Sequence, residues 1–170
     1  MRKRREHLWK AAMWGLALLL VTVGPVSAAA DSHFRAHLSG AQEVPPVETL
    51  SRGQAIFRLS RDGNELHFKL IVANLHDVRM AHIHLAQAGE NGPVVAWLYP
   101  GGPPPVEIPG RFSGVLAEGT ITAADLVGPL AGMTLEDLAD AMQAGDTYVN
   151  VHTTAYPGGE IRGQITVQGR

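Results

Sequence analysis

From residue 34 onward, apolar and polar positions alternate in short runs punctuated by glycine and proline. A period of two marks strands with one buried face. The runs predict eight strands, near 34–39, 53–60, 64–73, 79–87, 93–99, 111–121, 146–153 and 159–167. Asp62-Gly63-Asn64 predicts a tight hairpin, since Gly and Asn tolerate the positive φ such a turn needs. Asn74-Leu75-His76-Asp77 reads as a turn between the third and fourth runs. Val44-Pro45-Pro46 and Gly101-Gly102-Pro103-Pro104-Pro105 lack the donors a ladder requires and are expected as surface loops. Short strands at this spacing predict a mainly β, antiparallel sandwich.

One segment has a different period. Thr122 and Thr134 each stand three residues before an aspartate, Asp125 and Asp137, the spacing of a capping box. Leu135, Leu138 and Met142 then recur at helical intervals until Gly145. One or two short helices are therefore expected before the seventh strand.

The first thirty residues follow another logic. Arg2, Lys3, Arg4, Arg5 and Lys10 precede the apolar stretch Ala11–Val23, Pro25 and the small residues Ser27-Ala28-Ala29-Ala30. That order predicts a cleavable signal peptide over 1–30, with Asp31 as the new N-terminus of a single domain, 31–170. The apolar stretch falls short of the ~20 residues a membrane helix needs, so no span is expected after cleavage. The expected location is secreted or periplasmic.

Cleavage changes the charge. Nine bases against fifteen acids remain in 31–170, a net charge of −6. A surface of that sign repels phosphate, which disfavours nucleic acid as a partner. The chain has no cysteine. Disulfides, thiolate ligands and thiol catalysis are excluded, and the core alone must hold the fold.

The chemistry then rests on histidine. In Met80-Ala81-His82-Ile83-His84-Leu85 the two imidazoles share one strand face, about 6–7 Å apart along the chain. In Tyr148-Val149-Asn150-Val151-His152-Thr153 the valines take one face, and Tyr148, Asn150 and His152 the other. If the two strands are neighbours, three imidazoles converge, a set that suits one copper or zinc ion with an open position. The competing reading of an H-x-H pair is two solvated or hydrogen-bonded histidines. His33, His37, His67 and His76 are expected as surface polar residues.

These residues also carry a resemblance. Leu38-Ser39-Gly40-Ala41-Gln42-Glu43-Val44-Pro45-Pro46, Ala81-His82-Ile83-His84, Gly89-Glu90-Asn91-Gly92-Pro93-Val94-Val95 and Val151-His152-Thr153 with Pro157-Gly158-Gly159-Glu160-Ile161-Arg162-Gly163-Gln164 resemble the chordin-type (CHRD) domain family. The resemblance implies an immunoglobulin-like Greek-key β-sandwich with distant similarity to copper–zinc superoxide dismutase. On that second similarity, His82, His84 and His152 look like copper ligands and Arg162 like an anion-guiding arginine. The chain lacks counterparts of the bridging histidine, the zinc loop and the disulfide. One copper ion is therefore the candidate cofactor, and dismutase activity is not expected. In chordin, such domains belong to an extracellular antagonist of growth factors.

The remaining motif residues receive plainer readings. Glu160 and Glu43 are expected as surface carboxylates, with pairing to Arg162 or support of the histidines as the functional alternative. Trp97 and Tyr99, on one face of a strand, are expected to pack in the core or an interface. No serine elbow, phosphate loop or paired catalytic carboxylates are recognisable. The leading expectation is a non-enzymatic binding module for an extracellular protein or cell-surface component; the alternative is a mononuclear copper protein.

Overall fold

A computed structural model describes residues 33–168. The predicted signal peptide, 1–30, and the cleavage point before Asp31 lie outside the described residues. The strands are β1 (His33–Ser39), β2 (Arg52–Leu59), β3 (Leu66–Leu85), β4 (Val94–Tyr99), β5 (Ile108–Ile121), β6 (Thr147–Thr153), β7 (Ile161–Gln164) and β8 (Thr166–Val167). One α-helix, α1 (Leu135–Ala144), and three 3-10 turns complete the order. Among the described residues, no helix is long and apolar enough to cross a membrane.

The mainly β, antiparallel expectation holds. Strand pairing runs β1 to β2, β2 to β3, β3 to β6, β6 to β7 and β7 back to β1, so five strands close into a barrel-like ring. Hydrogen bonding thus describes one closed sheet, with β4 and β5 added along β3 and β8 along β1. Closure removes the unpaired edges that an open sheet leaves. The alternating apolar positions fill the ring: Phe34, Leu38, Phe57, Leu70, Ala81, Ile83, Val149, Val151 and Ile161 are all buried.

The third and fourth predicted strands are one. β3 runs 20 residues without a turn. Asn74 and Asp77 do adopt positive φ, 63° and 49°, but as irregularities in a continuous strand. The reason is pairing: residues 66–73 of β3 serve β2, residues 78–85 serve β6, and β5 pairs along both parts. A strand that changes partners midway must bend, and Asn and Asp tolerate the left-handed conformations that bending requires. The last predicted strand is likewise interrupted at the buried Ile165, separating β7 from β8.

The helix follows its capping chemistry. Thr134 Oγ1 accepts from the Asp137 amide, Asp137 accepts from the Thr134 amide, and Gly145 ends the helix at φ 79°. Leu135, Leu138, Ala139 and Met142 face the core. The same spacing at Thr122 and Asp125 produces only the 3-10 turn Ala123–Asp125.

Candidate metal centre

β3 and β6 are antiparallel neighbours, with Met80 opposite His152, His82 opposite Asn150 and His84 opposite Tyr148. Ala81, Ile83, Val149 and Val151 point into the core, each 0% exposed. Alternation sends His82, His84, Tyr148, Asn150 and His152 to the other face. That face is not solvated. Every residue of β6 is buried, and three segments lie across it. Each makes a polar contact: the Gly92 carbonyl with His84 Nδ1 at 2.8 Å, the Pro157 carbonyl with His152 Nδ1 at 3.0 Å, and Glu43 Oε2 with Asn150 Nδ2 at 3.5 Å.

The three histidines meet. Each offers one ring nitrogen, and these lie within 4.8 Å of one another. His82 Nδ1 is 3.2 Å from His152 Nε2. The carbonyls determine the tautomers, because a carbonyl only accepts. His84 and His152 must carry their protons on Nδ1, leaving both Nε2 lone pairs free. His84 Nε2 and His82 Nε2 are buried without a hydrogen-bond partner. The His152 Nε2 lone pair faces His82 Nδ1, so a proton or a metal ion must lie between them.

Burial keeps the cluster neutral. His82, His84 and His152 are 3%, 8% and 5% exposed. Desolvation lowers the pKa of His82 to about 3, with repulsion from His152 and His84 adding to it. It lowers His152 to about 4, with His84 acting the same way and the Pro157 carbonyl opposing. His84 is also lowered by burial, against the Gly92 hydrogen bond and with the Arg162 charge. Neutral imidazole is the form that binds metal. The donor set is three nitrogens with two orphaned buried Nε2 atoms, and it fits one copper or zinc ion.

The other predicted residues separate. Arg162 belongs to the site's surroundings: it is 1% exposed, and its Cζ lies 3.5 Å from the centre of the Tyr148 ring. Tyr148 is stacked on His84, ring centres 4.8 Å apart. Arg162 also donates to Asn91 Oδ1 and the Gln87 carbonyl. Among the described residues, Glu160 hydrogen-bonds to no histidine. It is buried, not a surface carboxylate, and accepts from Thr49, Ser51 and Thr153 hydroxyls at 2.7–2.9 Å, tying the loop before β2 to β6. Glu43 is buried too. Desolvation raises its pKa to about 7 against Arg162 and Asn150, which lower it. Trp97 packs edge-on against His82, ring centres 4.2 Å apart, so it borders the histidine face and not the core. His33, His37, His67 and His76 are not buried, as expected.

Sequence reasoning missed the two carbonyls. Gly92 lies where an added Cβ would collide with the Leu85 carbonyl oxygen, so the turn needs glycine to approach His84. The glycines around it were visible in the sequence; their closeness to His84 was not.

A barrel-like antiparallel domain with three buried imidazoles on two adjacent strands defines the class. The chain belongs to the CHRD domain family, whose profile matches residues 34–165. It is similar to Chordin from Xenopus laevis, 30% identical over 138 residues that cover 76% of this chain and 12% of that protein. The chain thus corresponds to a small part of that relative's length. No solved structure matches it.

Proposed function

We propose that the chain is an exported, non-enzymatic binding module of the CHRD family, and that its three-histidine site holds one copper ion. The observation that carries the proposal is the convergence of three neutral, buried imidazole nitrogens within 4.8 Å. His82, His84 and His152 are the ligands. The Gly92 and Pro157 carbonyls orient two of them, as second partners of metal-binding histidines do. Bound copper would supply a Lewis-acidic, redox-active centre with an open position.

Export is supported by the order of charged, apolar and small residues in 1–30. The location proposed is secreted or periplasmic. The finer fold reading, an immunoglobulin-like or dismutase-like Greek-key sandwich, rests on the family resemblance; the antiparallel pairing is compatible with it, although hydrogen bonding gathers the strands into one sheet. A protein partner on the cell surface or outside the cell is a second reading, favoured by the similarity to part of Chordin. The two are compatible on one module.

The test is titration of the metal-free protein with copper. One equivalent bound tightly, and lost in His84→Ala, supports the copper site. Weak binding that survives His84→Ala removes it and leaves the partner-binding reading alone.

A further inference from the structure

The three ligands bring no negative charge to the site, and a buried positive charge lies one aromatic ring from His84. Arg162 is buried against Tyr148, which stacks on His84. The two hydrogen bonds of Arg162 go to an amide oxygen and a backbone carbonyl. Its charge is therefore solvated by dipoles and not neutralised by them. Glu43 reaches the same layer through Asn150, where burial raises its pKa to about 7 against the Arg162 charge, so near neutral pH it offsets that charge only in part. Asn150 Oδ1, on the strand position opposite His82, is a buried oxygen without a donor.

This environment distinguishes ions by charge. The cost of moving an ion out of water grows with the square of its charge, so a divalent ion loses about four times the solvation of a monovalent ion of equal size. An anionic ligand ordinarily offsets that loss. Here the ligand set is neutral, and a guanidinium lies one aromatic ring away. Three imidazoles can complete a low-coordinate site for a monovalent copper ion, while Cu(II) or Zn(II) would have to import an anion into a buried layer to balance its second charge.

Resting on the copper reading above, we infer that the His82–His84–His152 site, neutral in its ligands and flanked by Arg162, selects monovalent copper over Cu(II) and Zn(II).

The experiment compares three affinities in the metal-free protein: Cu(I) by anaerobic competition against a Cu(I)-specific chelator, and Cu(II) and Zn(II) against their own chelators. Cu(I) is expected to bind at least about 100-fold more tightly than either divalent ion. Zn(II) or Cu(II) binding as tightly as Cu(I) at the same site overturns the selectivity while leaving the metal site in place. Failure of all three ions to bind overturns the copper reading and the inference with it. Asn150→Asp, which puts a carboxylate opposite His82, is expected to narrow the preference by about tenfold or more. An unchanged preference in a folded Asn150→Asp protein overturns the electrostatic cause. The wild-type comparison decides the matter even if that variant does not fold.

Discussion

His82 Nδ1 and His152 Nε2 lie 3.2 Å apart, although 70 residues of chain separate them. The Pro157 carbonyl holds the His152 proton on Nδ1, so the Nε2 facing His82 is a lone pair. Two imidazoles this close cannot both be protonated cheaply, and burial adds to the cost. The space between the two nitrogens therefore suits either the N–H of a neutral His82 or one metal ion.

The first prediction concerns copper affinity. His84→Ala is expected to abolish tight binding, while His76→Ala, exposed and remote from the cluster, is not. Trp97 lies 4.2 Å from His82 and is the single tryptophan of residues 31–170, so quenching of its fluorescence follows the titration. Proton competition sets in late, because His82 and His152 are pulled down to about 3 and about 4. Binding is expected to persist well below the ordinary imidazole value of 6.5 and to collapse between about pH 5 and 3. Loss of quenching near pH 6.5 would show that the histidines are solvated.

Acid stability of the metal-free protein supplies the second. With folded pKa values below the unfolded 6.5, the unfolded chain takes up protons first as pH falls. Stability is then fully present above pH 6.5 and declines as pH drops toward 4, by about 1.4 kcal/mol per pH unit for each such proton. Glu43 acts oppositely. Its raised pKa makes the folded state hold a proton between pH 7 and 4.5 that the unfolded chain releases. Glu43→Gln is thus expected to raise the midpoint of thermal unfolding at pH 8 more than at pH 5. Melting curves at the two pH values check both signs.

The third prediction tests the loop that orients His84. In Gly92→Ala the new methyl meets the Leu85 carbonyl, so the turn must move, with it the Gly92 carbonyl on His84 and the Gly92 amide on the Tyr148 hydroxyl. Copper affinity is expected to fall by about tenfold or more. At Gly102 an added methyl meets open space, and Gly102→Ala should change neither affinity nor stability. Equal behaviour of the two variants in the fluorescence titration would contradict the orienting role.

Core and surface separate in the fourth. Val151 is 0% exposed inside the ring, and Val151→Asp puts an unpaired charge there, expected to cost more than about 4 kcal/mol. His67 is half-buried, with Thr120 and Glu65 as neighbours at 3.0 and 3.4 Å. His67→Ala is expected to stay within about 0.5 kcal/mol. Denaturant unfolding measures both.

The sequence by itself determined the alternation of β3 and β6, the faces taken by Val149, Val151 and the three histidines, the capped helix before β6, and membership of the family. Each follows from local rules: side-chain period, capping spacing and contiguous motifs. It did not show that 64–73 and 79–87 form one strand, because the bend at Asn74–Asp77 is dictated by β2 and β6 pairing with different parts of it. Nor did it show that the histidine face is covered. A strand pattern says which side chains share a face, but the water content of that face depends on loops closing over it from 43–46, 86–93 and 154–160 in sequence. Only the tertiary structure sets Gly92, Pro157 and Glu43 against the cluster, and with them the desolvation that keeps three ordinary histidines neutral.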